Sequence, residues 1–554
     1  MELAEITIDS FAGGGGASTG IEMALEAMEA QGVEIDDTDV TIALNHNGAA
    51  LAMHMANHPN TMHLEADIWT VDPLATTKGR PVGLAWASPD CTQFSRAKGG
   101  QPVSGKIRGL AWSVLHQAEQ VMPRVLLLEN VEEFQDWGPL IPGKGGFVPD
   151  PEKRGQTFRK WVARFKKLGY RVEWKSLRAC DYGAPTIRKR LYIIMRRDDE
   201  PIVWPKPTHG DPKSAAVRAG KLLPWVTAAE IIDWDLPCPS ILMGKEEARE
   251  YTKTTGRRII RPLADNTMAR IAAGVRRYVL EASQPFIVTC NHSGAGFRGQ
   301  GLEDPFLTVA GARDAHGLVQ PSIAPFITSY YGESDGRNDR AARLDEPLRT
   351  VTTEPRHGIV VPHLMTMRNS GKPFSAADEP THTVTAGGAS LNVVEAAIAP
   401  FITAHYSSDL GSPANAPMRT VTGIPKTDPV LSYLQLPPLT EAQMESARRV
   451  ADFLRQHGAW DDREFVTVGD FVVVDIGMRM LTPRELARAQ GFPESYILAA
   501  PYQGGTLSET DQRHKIGNSV CPPVAKALVE ANYRPRRSTA PRPEQGWLFE
   551  KEAA

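Results

Sequence analysis

Four side chains carry the strongest chemical signal in the sequence: Cys91, Glu129, Arg188 and Arg190. Cys91 lies in WASPDCTQFS (86–95), just past an apolar run, and Glu129 belongs to another, VLLLEN (125–130). Both arginines stand in YGAPTIRKR (182–190). A cysteine attacks as its thiolate, so it needs activation or a substrate that becomes electrophilic as it is attacked. A carboxyl shielded from water can keep its proton and donate to a ring nitrogen. Without such a task a buried lone glutamate is costly. Taken by themselves, Arg188 and Arg190 also fit the simpler role of surface ion pairs.

A ligand site is marked further upstream. In DSFAGGGGASTG (9–20) a strand ends, four glycines follow and a helix begins. Glycines let the backbone approach a ligand closely and leave helix N–H groups free. Phe11, Gly13 and Gly15 are the candidate contacts, with Phe11 offering a face to an adenine ring. The next apolar run ends at LNHN (44–47), where an acidic residue would hold ribose hydroxyls; Asn45 and His46 are the polar groups available. In EADIW (65–69), Asp67 can accept from an adenine amino group and Ile68 can pack on the ring. The stretch lacks a strict GxGxxG and has no Gly-Lys-Ser/Thr, which disfavours a P-loop.

These residues need a scaffold that brings strand ends together. ITID (6–9), VTIAL (40–44), VGLAWA (82–87), VLLLEN (125–130) and RLYIIM (190–195) read as buried parallel strands. Amphipathic stretches such as STGIEMALEAMEA (18–30) and WVARFKKLG (161–169) lie between them. The alternation predicts a doubly wound α/β sheet over residues 1–205, with ligands at the carboxyl ends of the strands. From 206 to 474 the chain is β-rich and carries a degenerate internal repeat. One limb recurs as PFIVTCNHS (285–293), PFITSYYGE (325–333), HLMTMRNSG (363–371) and PFITAHYSS (400–408), and each is followed by a Thr-Val turn region. Polar, glycine-rich loops between the limbs favour a binding surface of stacked units. EAQMESARRVADFLRQHG (441–458) reads as a helix, HKIGNSVCPPVAKALVEANY (514–533) as a polar turn opening a helix, and 536–554 as a flexible tail.

The chain has 554 residues, a formal charge of −3 and five cysteines, none in a CxxC pair, so neither a zinc site nor a disulfide framework is expected. Four of the cysteines are expected to pack as small apolar groups. No apolar run reaches membrane-spanning length, and the first residues do not resemble a signal peptide, so a cytoplasmic protein is expected. With so little net charge, a nucleic-acid partner must be held by local basic surfaces such as KTTGRRIIRP (253–262).

Taken together, FAGGGG (11–16), EADI (65–68), PDC (89–91), ENV (129–131), YGAPTIRKR, RMLTPRELARAQGFP (479–493) and IGNSV (516–520) resemble, in order, the motifs of the DNA (cytosine-5) methyltransferases. The resemblance is strong over about 1–205 and 475–530 and weak between. It implies an S-adenosylmethionine-binding Rossmann-like domain with a mixed sheet, completed by 475–535, and a target-recognition domain over 206–474. It implies double-stranded DNA as partner, a monomer, and a flipped-out cytosine as target. Cys91 would add to C6, Glu129 would hold N3, Arg190 would contact O2, Arg188 would support the site and Asn130 would fix the loop. Pro89, Asn518, Ser519 and Val520 would join the cofactor contacts. No metal is implied.

Three departures stand out: Asp90 separates Pro89 from Cys91, Thr186 replaces the family's glutamine, and Asn45 or His46 replaces its ribose-binding acid. A carboxylate beside the thiol should raise its pKa unless it points away. Asp90 keeps open a binder without catalysis, and with the change at Asn45 or His46 it keeps open a modified methyl donor or a different transferred group; an RNA methyltransferase of similar core is a further alternative. A partner nuclease is not legible.

Overall fold

The computed structural model describes residues 3–90, 109–143, 146–231, 233, 236–280 and 439–538 apart from 469, 470 and 481, with the backbone of short strands between 286 and 428. Cys91 and Cys290 lie outside the described residues.

The first part of the chain folds as strands β1 (Ile6–Ser10), β2 (Ile42–Asn45), β3 (Met62–Glu65), β4 (Val82–Ala87), β5 (Val125–Asn130), β6 (Arg171–Arg178) and β7 (Lys189–Arg196). Helices α1 (Gly16–Ala30), α2 (Gly48–Asn57), α3 (Leu110–Val121) and α4 (Gln156–Lys167) connect them. The strands form one sheet in the order β3-β2-β1-β4-β5-β7-β6. The first five run parallel, whereas β7 is antiparallel to both β5 and β6. The result is the expected doubly wound, Rossmann-like mixed sheet. RLYIIM was expected to be parallel; it is not, because β6 turns directly into β7 through the short Ala179–Tyr182 turn, with no crossover helix.

Every residue of β4 and β5 is buried, as both faces of a parallel sheet are covered. Along β5 the side chains alternate. Leu126 and Leu128 pack with Trp161 and Phe165 under α3 and α4. Leu127 packs on the other face with Ile21 and Leu25 of α1 and with Val524 and Leu528. The edge strands β3 and β6 escaped the sequence reading because MHLE and RVEWKSLR are half exposed and mix charged with apolar residues.

Between 286 and 428 the described backbone includes strands Phe286–Thr289, Ile327–Thr328 and Phe401–Ala404, each within one of the recurring limbs. The limb at 363–371 and all four Thr-Val pairs lie outside the described residues. Strand β8 (His316–Pro325) pairs antiparallel with β9 (Phe471–Met480), so β9 spans the expected 474/475 boundary. The helix expected at 441–458 runs Glu441–Gln456 (α5), with Thr440 and Gln443 closing a capping box.

Three further helices, α6 (Pro483–Gln490), α7 (Glu509–Asn518) and α8 (Pro522–Asn532), bring the C-terminal segment back onto the first sheet, where α8 lies on α1. The polar turn expected at 514–518 is instead the end of α7, and Pro522 and Pro523 open α8 as expected. Leu3–Ala4 pairs with Arg537–Ser538, so ordered chain continues past 536; residues 539–554 lie outside the described set.

Candidate active site

The chain passes from β1 through α1 to β2 and β3, then crosses back to β4 on the other side of β1. That reversal opens a crevice at the carboxyl ends of β1 and β4, where open α/β sheets bind ligands. Phe11, Gly13, Gly15 and Pro89 lie just beyond those strand ends, and Asn45 ends the neighbouring β2.

Phe11 has φ 66°, a conformation rarely adopted by an aromatic residue, at the bend from β1 into the glycine loop. Gly15 has φ 80° and caps α1 without a side-chain bond. Gly15 thus offers the first N–H groups of α1 no capping oxygen of its own, a setting suited to a carboxylate or other anion. The loop's other side is packed by the C-terminal segment. A Cβ on Gly14 would sit 2.7 Å from Ser519 Oγ, one on Gly15 would overlap the Tyr496 hydroxyl, and one on Gly16 would overlap the Val520 carbonyl. A Cβ on Gly13 would meet nothing nearer than 4.0 Å, so that face of the loop is open.

Asn45 does not offer its amide to a ligand: its Nδ2 donates to the Ala12 carbonyl at 2.8 Å and its Oδ1 accepts from Asn47 N–H at 2.9 Å. It braces the loop, while neighbouring His46 is exposed. Asp67 is exposed, accepting from Trp69 N–H at 3.1 Å, and Ile68 is buried. Leu64 and Val71, on either side of that turn, line a small, largely apolar cavity of about 30 Å³ that also touches Ser10, Leu44, Ala87 and Gln117. Ser519 and Val520 are buried against the loop, and Asn518 is exposed, 3.5 Å from His514.

Glu129 follows Leu127 on the α1/α8 face of the sheet, and Arg190 reaches the same face two residues before Tyr192, which pairs with Glu129. Alternation thus places the two side by side. Arg190 Nε lies 3.2 Å and Arg188 Nη2 3.6 Å from one oxygen of Glu129, and all three residues are buried. Arg188 also donates to the Gly517 carbonyl at 3.1 Å, joining Glu129 to the C-terminal segment. Asn130 donates from Nδ2 to the Pro89 carbonyl at 3.0 Å. This bond fixes the chain two residues before Cys91. Thr186 is buried and its hydroxyl accepts from Arg188 N–H at 3.2 Å.

A buried polar chain beneath the glycine loop was not anticipated. Asp9 accepts from Ser18 Oγ at 2.8 Å, Ser18 is 2.9 Å from His54 Nε2, and His54 Nδ1 is 2.8 Å from His63 Nε2. Burial pushes the Asp9 carboxyl up to about 7 against the hydrogen bond from Ser18. Burial, with His58 and His63 nearby, holds His54 well below the usual histidine range. Tyr496, Lys515 and Gln490 were missed as well. Tyr496 donates to the Gly14 carbonyl, Lys515 to Asn47 Oδ1 and Gln490 to the Ile516 carbonyl. His54 near the end of α2 and His58 at its C-cap were the available signal that polar groups gather there. Among the described cysteines, Cys180 and Cys521 are buried as expected, and burial pushes the Cys521 thiol up to about 12.

The family described as C-5 cytosine-specific DNA methylase matches residues 6–231 and 434–534, more than half of the chain. The Type II methyltransferase M.AgeI of Thalassovita gelatinovora is 29% identical over 218 residues, 38% of this chain and 44% of that protein. M.SacI of Streptomyces achromogenes is 26% identical over 211 residues, 36% of this chain and 50% of that protein. The chain thus spans about half the length of the curated relatives it matches. The S. pombe Dnmt2 methyltransferase structure aligns with a TM-score of 0.41 at 12% identity, over 95% of this chain and 97% of that one.

Proposed function

This chain belongs to the C-5 cytosine-specific DNA methylase family, and we propose that it methylates C5 of a cytosine extruded from duplex DNA, with S-adenosylmethionine as donor. The observation that carries this reading is the Glu129 cluster. A strand-end carboxyl lies against two buried guanidiniums, and the adjacent Asn130 grips the chain just ahead of Cys91.

The residues at the crevice fit the donor. The N-terminus of α1, with no side-chain cap, suits its carboxylate, and the open face of Gly13 leaves room for close approach. Asp67 and Ile68, beside the apolar cavity, suit its adenine. Asn45 is spent on the loop, so Asn45 bracing rather than ribose binding is the role we assign it. When bound, S-adenosylmethionine supplies an electrophilic methyl group.

Cys91 adds as thiolate to cytosine C6, and electron density moves onto C5 and N3. Glu129 holds N3 and steadies that charge. Arg190 donates to O2, and Arg188 keeps Glu129 and Gly517 in place. C5, made nucleophilic by that addition, would be placed to take the methyl of a donor held at the glycine loop, whose sulfonium would leave as the thioether. Loss of the C5 proton then re-forms the C5–C6 double bond and expels the Cys91 thiolate.

We assign catalysis to 1–205 with 475–535 and target recognition to 206–474. Exposed Arg257 and Arg258, with no ion pair among the described residues, suit phosphate contacts. No helix among the described residues is long and apolar enough to cross a membrane. We further propose a monomer acting in the cytoplasm. Bisulfite sequencing of DNA from cells expressing the chain tests the function. Protected cytosines in one sequence context, lost with Cys91→Ala, are expected; fully converted DNA from wild-type cells contradicts it.

A further inference from the structure

Between β5 and α4 the chain forms a two-stranded ribbon of Leu140–Gly143 and Gly146–Pro149. Because β5 and β6 run the same way with α4 between them, this ribbon leaves the carboxyl edge of the sheet, the edge that carries Glu129. Its root is firm. Trp137 is buried and stacks on Phe134 with centroids 5.5 Å apart, Phe158 N–H donates to the Trp137 carbonyl at 3.0 Å, and Asp150 N–H donates to the Pro139 carbonyl at 2.9 Å.

The arm itself is different. None of its eight residues is buried and none is charged. Pro142 pairs with Phe147 and Ile141 with Val148, so Ile141 and Phe147 occupy opposite faces, 37% and 55% exposed. Two four-residue strands with no burial are marginal alone in water, and among the described residues the arm lacks a cover. It is too small to build a stable contact between two copies, which needs on the order of 1,000 Å². A two-stranded ribbon does fit a DNA groove, and Phe, Ile and Pro are the side chains that press between base steps.

We propose that this ribbon is a DNA-contacting arm that sets Phe147 and Ile141 against base edges or steps beside the extruded cytosine. The inference rests on the reading of duplex DNA as substrate. Ile141 and Phe147 are uncharged and contribute apolar contact rather than phosphate binding, so their signature is affinity lost without a change in salt dependence.

The test compares the full chain with the Ile141→Ala/Phe147→Ala and Phe147→Trp variants. Each is titrated with a long unmethylated duplex of mixed sequence at several salt concentrations, with thermal unfolding and sedimentation measured alongside. The double variant should bind about tenfold more weakly, with the wild-type salt slope, unfolding midpoint and sedimentation; Phe147→Trp should bind as wild type. Unchanged affinity overturns the proposal. So does a lowered midpoint without DNA, which would mean the chain itself covers the arm, or altered sedimentation, which would mean a second copy does. A wild-type chain that neither binds nor methylates DNA would instead remove the functional reading beneath it.

Discussion

The Tyr496 hydroxyl donates to the Gly14 carbonyl at 2.8 Å, across 482 positions of sequence. It fastens the glycine loop from behind, so the shape of the proposed donor site depends on the C-terminal segment. Tyr496→Phe leaves that buried carbonyl without its donor, at a cost of about 1–3 kcal/mol. The expected outcome is a lowered unfolding midpoint and weaker S-adenosylmethionine binding by calorimetry, with DNA affinity unchanged. Equal donor affinity in the two proteins would remove the fastening role.

Arg188 bridges Glu129 and the Gly517 carbonyl. Lysine keeps the charge but lacks the fork that reaches both. Arg188→Lys should slow single-turnover methylation about tenfold, equivalent to one lost charge-assisted hydrogen bond, without weakening DNA binding. Glu129→Gln should slow it at least ~10²-fold. A change confined to DNA affinity would place the cluster outside the chemistry.

Asp9 gives a pH signature. Its folded carboxyl titrates near 7 rather than at the ordinary 3.8 because it is buried. Between those values the folded chain holds a proton that the unfolded chain has released. Stability therefore falls as pH rises from about 4 to about 7 and is flat above, by at most about 4 kcal/mol from this group. Asp9→Asn should remove that part of the slope in urea unfolding followed across the range. An unaltered slope would assign it to other groups.

Arg257 and Arg258 are exposed, so replacing both with Gln should leave stability within about 0.5 kcal/mol. If both contact phosphates, the slope of log affinity against log salt should become shallower by about 2. An identical slope would place them away from DNA.

Much of this architecture was legible because buried strands announce themselves. ITID, VGLAWA and VLLLEN are short, mostly apolar runs, and each became a strand of the central sheet. Glu129 and Asn130 were legible for the same reason, as polar residues at the end of such a run. What stayed hidden depends on contacts distant in sequence. Nothing local in LNHN says that Asn45 Nδ2 turns back to Ala12, and nothing in GFPESY says that Tyr496 reaches Gly14. The direction of β7 was misread because strand composition does not encode orientation; the missing crossover helix does. Nothing local in the sequence pairs Asp9 with His54, and only packing of α1 and α2 over β1 joins them through Ser18.

The central claim is a transient bond between the Cys91 sulfur and cytosine C6. DNA carrying 5-fluorocytosine tests it most directly, because fluorine cannot leave C5 as the proton does and the thiol stays attached. With S-adenosylmethionine present, the wild-type chain should give a denaturant-resistant protein–DNA adduct that maps to Cys91, and Cys91→Ala should give none. An adduct that persists in Cys91→Ala, or its absence from a wild-type chain that still methylates ordinary cytosine, would contradict the account.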